Sequence, residues 1–233
     1  MLVTAWIGTP IHEFSHFIAA LISGHKIQEL KLFKPDPRSG SLGYVAHTYN
    51  PDNFYQSIIG NTLIPIAPFF GGSLAIYAVT YFIIPDFSIY SDVVPQLHHI
   101  TADKILSLES YIRLGETIVQ FFTYIGNFIM KNKLFSQWQF YVGAFLMFGI
   151  ANHLSPSASD FSNFWHPFLV LLFFMVLLNI IILPFTSNSL EIVNHTSAYL
   201  LYIMPILLLA IFISVTALIM IYVFYLIFII IHG

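Results

Sequence analysis

His12-Glu13-Phe14-Ser15-His16 places two imidazoles and a carboxylate inside the first apolar stretch of this 233-residue chain. On a helix, residues i and i+4 share a face, so His12 and His16 can grip one metal ion together. Glu13 stands beside them, where a general base for a metal-activated water belongs. A catalytic zinc takes three protein ligands and keeps one position open, so the motif supplies two ligands and a base, and a third ligand must come from elsewhere. With ten His and five Glu in the chain, chance produces this pattern in roughly one per cent of sequences. The plainer reading is two hydrogen-bonded histidines and a glutamate paired inside a helix bundle. Burying that glutamate without a cation is costly, which favours the metal.

The third ligand must be His, Asp or Glu, at the edge of an apolar segment and far along the chain. Asp160 is the sole acidic residue between Glu116 and Glu191. It closes the stretch Asn152-His153-Leu154-Ser155-Pro156-Ser157-Ala158-Ser159-Asp160, a break between two apolar helices. Irregular backbone is tolerated at membrane depth where it lines a polar cavity. Asp160 has a structural reading too: Ser157 three residues before it resembles a capping box with Asp in place of Glu. His153 is the rival ligand and His166 a weaker one, since a lone His there more often satisfies a helix end.

These residues sit in a chain that is 58% hydrophobic and 8% charged, with a mean hydropathy of +0.81. Soluble domains carry about 25% charged residues. The composition therefore points to an integral membrane protein, and to one domain over residues 1–233, with the metal-site core in about 1–165 and further helices in about 165–233. A net charge of −3 gives no basic surface for nucleic acid. Without cysteine there is no thiolate, so a bound metal must use His and carboxylate. Residues 1–24 lack a basic residue before Lys26, so they read as a retained span and not as a signal peptide.

The expected fold is all-α and polytopic, with five or six transmembrane helices and a small β-hairpin after the first. Spans are expected over residues 2–24, irregular or restarting near Pro10, and over 58–84, kinked by Pro65 and Pro68. Strands are expected over 26–34 and 41–49, joined by the turn chemistry of Pro35-Asp36-Pro37-Arg38-Ser39-Gly40. Asn61 reads as a helix-packing hydrogen bond. His98 and His99, as neighbours, point apart and read as loop residues. The segment 111–130 carries Arg113, Glu116, Gln120 and Asn127, and either spans or lies along the membrane. Spans follow over 138–151, 161–183 and 198–231, the last long enough to tilt or to kink at Pro205.

A His-Glu motif in a first core helix, then a hairpin, then a broken helix bearing Asp resembles the site-2 protease class of intramembrane zinc metallopeptidases. That class has a distal Asn-x-x-Pro-x-x-x-x-Asp-Gly motif, in which Asp is the third zinc ligand and Asn lies beside the substrate. Asn152 and Asp160 keep this separation, while Pro156 is displaced by one position and Phe161 stands in place of Gly. The chain is similar also to site-2-protease-like membrane peptidases of bacteria, through Gly8-Thr9-Pro10, Gly43-Tyr44-Val45 and Pro156-Ser157-Ala158-Ser159-Asp160. The resemblance spans about residues 8–160. It implies a bacterial multi-pass membrane protease that holds Zn2+ with His12, His16 and Asp160, uses Glu13 and Asn152 in catalysis, and cleaves membrane-spanning or membrane-associated substrates.

The rival class is a metal-binding membrane protein without catalysis, either a transporter or a former protease that binds partners. Glu13 discriminates, because a binding site made by His12 and His16 does not require it. Lys26, Lys31, Lys34 and Arg38 fall close together in the first loop, so the positive-inside rule puts the hairpin in the cytoplasm.

Overall fold

The computed structural model describes residues 2–38, 40–84, 108–154, 157–182 and 189–232. They form a mostly helical assembly with one two-stranded antiparallel sheet. In order come α1 (Leu2–Ile22), β1 (Lys26–Lys31), β2 (Tyr44–Thr48), and a π-helical turn (Tyr55–Gly60) leading into α2 (Asn61–Ile83). After these come α3 (Leu108–Lys131), a 3-10 turn (Leu134–Ser136), α4 (Trp138–Ala151), α5 (Ala158–Ile182) and α6 (Ser189–His232). His98 and His99 lie outside the described residues.

α2 is the axis: α1, α4, α5 and α6 all pack on it, and α1 also packs on α4. Small residues permit this closeness. A Cβ on Gly8 would collide with the Gly149 carbonyl and the His153 ring, and one on Gly71 would collide with Ser15. α1 is thus drawn onto α4 and α2 at once, which is how apolar helices associate by close backbone contact. Held from two sides, α1 runs unbroken through Pro10, contrary to the expected restart. Asn61 also departs from expectation, since its amide donates to Ser57 O, in the π-helical turn that leads into α2, at 3.0 Å.

Both strands are shorter than expected. The arms stay tied by Lys34 N–H to Leu42 O at 2.7 Å and Asp36 N–H to Ser41 O at 2.8 Å. Pro35 and Pro37, however, lack the donors that a regular ladder needs. Arg38 N–H donates to Asp36 Oδ1 at 2.9 Å and closes the loop as an Asx turn. In β1, Ile27 pairs with His47 and Glu29 with Ala46, so Gln28 is an extra residue forming a bulge opposite His47. Bulges bend a strand and re-aim the side chains beside them.

α4 and α5 are two halves of one broken path. Near the start of α4, a Cβ on Gly143 would stand 3.5 Å from Ile83 and Ile84, at the end of α2. Further on, Ile150 and Leu154 reach Gly72, midway along α2. α5 continues in the same direction: it packs on the Tyr55–Gly60 turn, and Phe174 meets Phe54 with ring centroids 5.6 Å apart. The expected spans over 138–151 and 161–183 correspond to α4 and α5, which run in the same direction. The 14 residues of α4 make about 21 Å of helix, less than the thickness of a bilayer core.

α2 ends and α4 begins at the same end of the bundle, and α3 lies there. Phe121 and Ile125, one turn apart, are buried with Ile84 and Leu209, while Glu116 and Gln120 face outward. One face of α3 is thus apolar and buried, as in an amphipathic helix. Among the described residues, two helical stretches, Tyr55–Ile83 and Ile206–Leu226, are long and apolar enough to cross a membrane. In α1, His12, Glu13 and His16 lower the mean hydropathy.

Candidate metal centre

His12 and His16 lie midway along α1, one turn apart, with Nε2 atoms 3.1 Å from each other. Asp160 Oδ2, from the first turn of α5, lies 3.7 Å from His12 Nε2 and 3.4 Å from His16 Nε2. A tetrahedral ion with bonds of about 2.0–2.1 Å separates its ligand atoms by about 3.3 Å. The three edges bracket that value, so the triangle fits one face of such a site.

Hydrogen bonds fix which ring nitrogens face inward. His12 Nδ1 lies 2.7 Å from the His153 carbonyl, and His16 Nδ1 lies 2.8 Å from the Ile64 carbonyl. A carbonyl only accepts, so each Nδ1 carries the proton and each neutral ring turns its Nε2 lone pair toward Asp160. Three acceptors then converge with no donor between them. A cation removes this repulsion, and a backbone carbonyl behind each ring is the usual support of a metal-binding imidazole. Among the described residues this is the group of three able to hold a metal ion.

The capping contacts of Asp160 and its approach to the histidines share one oxygen. Ser157 N–H and Ser157 Oγ donate to Asp160 Oδ2 at 2.8 and 2.6 Å, and Asp160 N–H donates to Ser157 Oγ at 3.2 Å. This reciprocal capping box opens α5, and its carboxylate oxygen is the atom aimed at the histidines. Phe161, where the resemblance expects Gly, points outward at 55% exposure, so its bulk meets no wall.

Glu13 is buried at 9% exposure and is not one of the three converging groups. It lines a cavity of about 610 Å³ with His12, His16, Asp160, Asn152, Thr9 and the loop residues 40–45. Gly43 forms the facing wall: a Cβ there would stand 2.8 Å from Glu13 Cγ and 2.8 Å from Lys31 O. The hairpin loop therefore closes over the carboxylate. Asn152, just past α4, is half-buried in the same cavity. His153 contributes its carbonyl to His12, and its ring, whose Nδ1 lies 3.1 Å from Gly149 O, is not among the three converging groups. His166 is exposed on α5 and outside the group.

Two cavity residues escape a reading centred on ligand motifs. Thr9 is 3% exposed, and its hydroxyl has no hydrogen-bond partner. Its spacing of three and four from His12 and Glu13 was the available signal. His47, two residues after Val45 on β2, shares that residue's face and lines the cavity with it. Burial pushes the His47 imidazole below its usual range, with His25 and His16 adding to the effect. Comparison of the chain with protein-family models, with curated proteins and with solved structures finds no match.

Proposed function

We propose that the protein is an intramembrane zinc metalloprotease that hydrolyses peptide bonds of membrane-spanning or membrane-associated substrates. The observation that carries this reading is the convergence of His12, His16 and Asp160 beside a buried glutamate that is not part of the group. A donor set of two imidazoles and one carboxylate, without thiolate, suits catalytic zinc and leaves a position open. Zinc, when bound, supplies a Lewis acid that activates water and polarises a carbonyl.

The side chains then have distinct tasks. Glu13 takes a proton from the attacking water and returns it to the leaving amine. Asn152 offers an amide donor to the substrate carbonyl, where negative charge develops. Among the described residues β2 pairs with β1 alone, which leaves its outer edge as the strand an extended peptide could join. A transmembrane substrate must unwind to present that geometry.

Membrane embedding is part of the proposal. Trp6, Phe14, Leu21 and Ile22 on α1 and Leu218, Phe224 and Phe228 on α6 are each about half exposed or more. Soluble monomers rarely display apolar area on this scale. In this reading α1, α2, the α4–α5 path and α6 cross the bilayer, and α3 lies along one face. The half-helices meet at the metal centre, where irregular backbone can line a polar cavity.

A transporter or a partner-binding former protease would also hold a metal, but neither calls for Glu13 beside the ligands. The test is metal analysis of the purified protein and of His16→Ala, followed by cleavage of a membrane-spanning substrate. The wild type is expected to carry one zinc and to cleave, and His16→Ala to lose both properties. Glu13→Gln should keep the zinc and lose about 10²–10⁴-fold in rate. Zinc falling in step with activity in Glu13→Gln makes Glu13 a ligand and overturns the mechanism.

A further inference from the structure

His47 is held by a relay that leaves it one polar atom to offer. His25, buried at 4% exposure just after α1, places Nε2 3.0 Å from the Gln56 carbonyl, so that nitrogen is the donor. Its Nδ1 lies 3.0 Å from His47 Nδ1, and in the neutral pair the proton of that contact belongs to His47. His47 Nε2 is then a hydrogen-bond acceptor on a ring that lines the metal cavity.

Several features keep the relay in place. Gly60 leaves room for His25, since a Cβ there would stand 2.5 Å from its Nε2. Tyr49 stacks on His25 with centroids 5.1 Å apart and planes 20° from parallel. The bulge at Gln28 falls opposite His47 and aims that strand position. A hairpin tied down only for stability has no need of a histidine at the cavity wall. Val45, on the same face, completes a short lip of β2 over the metal ligands.

We propose that His47 is a substrate-contacting residue whose Nε2 accepts a hydrogen bond from a backbone N–H of the bound peptide, with His25 as the positioning residue behind it. This rests on the protease reading and narrows it: the site recognises an extended chain by its amide hydrogens near the scissile bond. An ester in place of that amide removes the donor and leaves the rest of the backbone in place.

The test uses full-length, zinc-loaded protein and a set of substrate peptides in which single backbone amides are replaced by esters. His47→Ala should retain zinc, raise KM about 3- to 10-fold and leave kcat nearly unchanged, the loss of one neutral hydrogen bond. One ester position should cost the wild type the same factor and cost His47→Ala nothing further. His47→Gln, which keeps an acceptor, should recover part of the loss. His25→Phe should behave like His47→Ala, whereas His25→Gln, able to accept and donate, should restore KM. Equal KM in wild type and His47→Ala, or no ester position whose penalty disappears in His47→Ala, overturns the proposal. The same peptides are measured for binding to zinc-loaded Glu13→Gln protein with and without His47→Ala. If the wild type cleaves nothing, the protease reading fails on its own, and these binding constants still decide the role of His47.

Discussion

Ser157 and Asp160 meet at one oxygen: the Ser157 backbone N–H and hydroxyl donate to Asp160 Oδ2 at 2.8 and 2.6 Å, and that same oxygen faces both histidines of α1. The start of α5 and the candidate metal centre therefore share one contact. Asp160→Asn keeps an acceptor for the cap but loses the charge, so metal occupancy should fall while thermal stability changes little. Asp160→Ala should lose both, with about 1 kcal/mol from the cap. Ser157→Ala should weaken metal binding about 10- to 100-fold through its support of Asp160. Metal analysis and melting curves separate these effects. Full zinc retention in both Asp160 variants would sink the three-ligand centre.

Much of this centre was legible in the sequence. His12, Glu13 and His16 carry their geometry in their spacing, and Asp160 stood out by isolation in an apolar region. Cap and ligand need not exclude each other, since one oxygen accepts the cap's hydrogen bonds and faces both histidines, which spacing cannot tell. His153 illustrates the converse: its position mattered, but through its carbonyl, which residue type does not encode. Hydropathy reports apolar stretches and not their direction, so the sequence does not show that α4 and α5 run the same way. Only the contacts of Gly143 with Ile83 and of Phe54 with Phe174 show that α4 and α5 run the same way. His47 was out of reach because its role depends on a bulge and on a partner 22 residues away.

Gly8 sets the distance between α1 and α4. Gly8→Ala would push its methyl into the Gly149 carbonyl and the His153 ring, neither of which is the free end of a flexible chain. The expected cost is about 1–3 kcal/mol, as for overpacking elsewhere. His12 should also lose its bond to the His153 carbonyl, and with it part of the metal affinity. Gly115→Ala, where nothing lies within 4 Å, is the control and should keep zinc content unchanged without lowering the melting temperature. Equal melting temperatures and zinc content in the two variants would count against the tight α1–α4 contact.

Gly43 tests the closure of the hairpin loop over Glu13. A Cβ there meets Glu13 Cγ at 2.8 Å and the Leu32 carbonyl at 3.0 Å, so either the loop lifts or the carboxylate turns away. Gly43→Ala should retain zinc, because none of the three ligands is touched, and should lose cleavage activity at least tenfold if a misplaced general base costs a share of its usual contribution of about 10²–10⁴-fold. Unchanged turnover in a zinc-loaded Gly43→Ala protein would show that the loop does not position Glu13.

The hairpin and the Leu134–Ser136 turn are expected on opposite faces of the membrane. α1 leads toward the hairpin, α2 leads away from it, and α4 starts where α2 ends, so the turn before α4 belongs to the far side. Had α3 crossed, the turn would share the hairpin's side. Charge does not settle the matter: Lys26, Lys31, Lys34 and Arg38 lie near the hairpin, and Lys104, Arg113, Lys131 and Lys133 fall between α2 and α4, four against four. The tighter cluster is the one at the hairpin, so that side is the one expected in the cytoplasm. Single cysteines in this cysteine-free chain make the test clean. Pro37→Cys and Ser136→Cys both lie at exposed positions outside the long helices. An impermeant thiol reagent applied to intact cells should label Ser136→Cys and spare Pro37→Cys, and permeabilised cells should label both. Labelling of Pro37→Cys alone in intact cells would reverse the orientation and keep the bundle. Labelling of both from the outside would mean that α3 crosses the membrane, and the four-crossing arrangement would have to be abandoned.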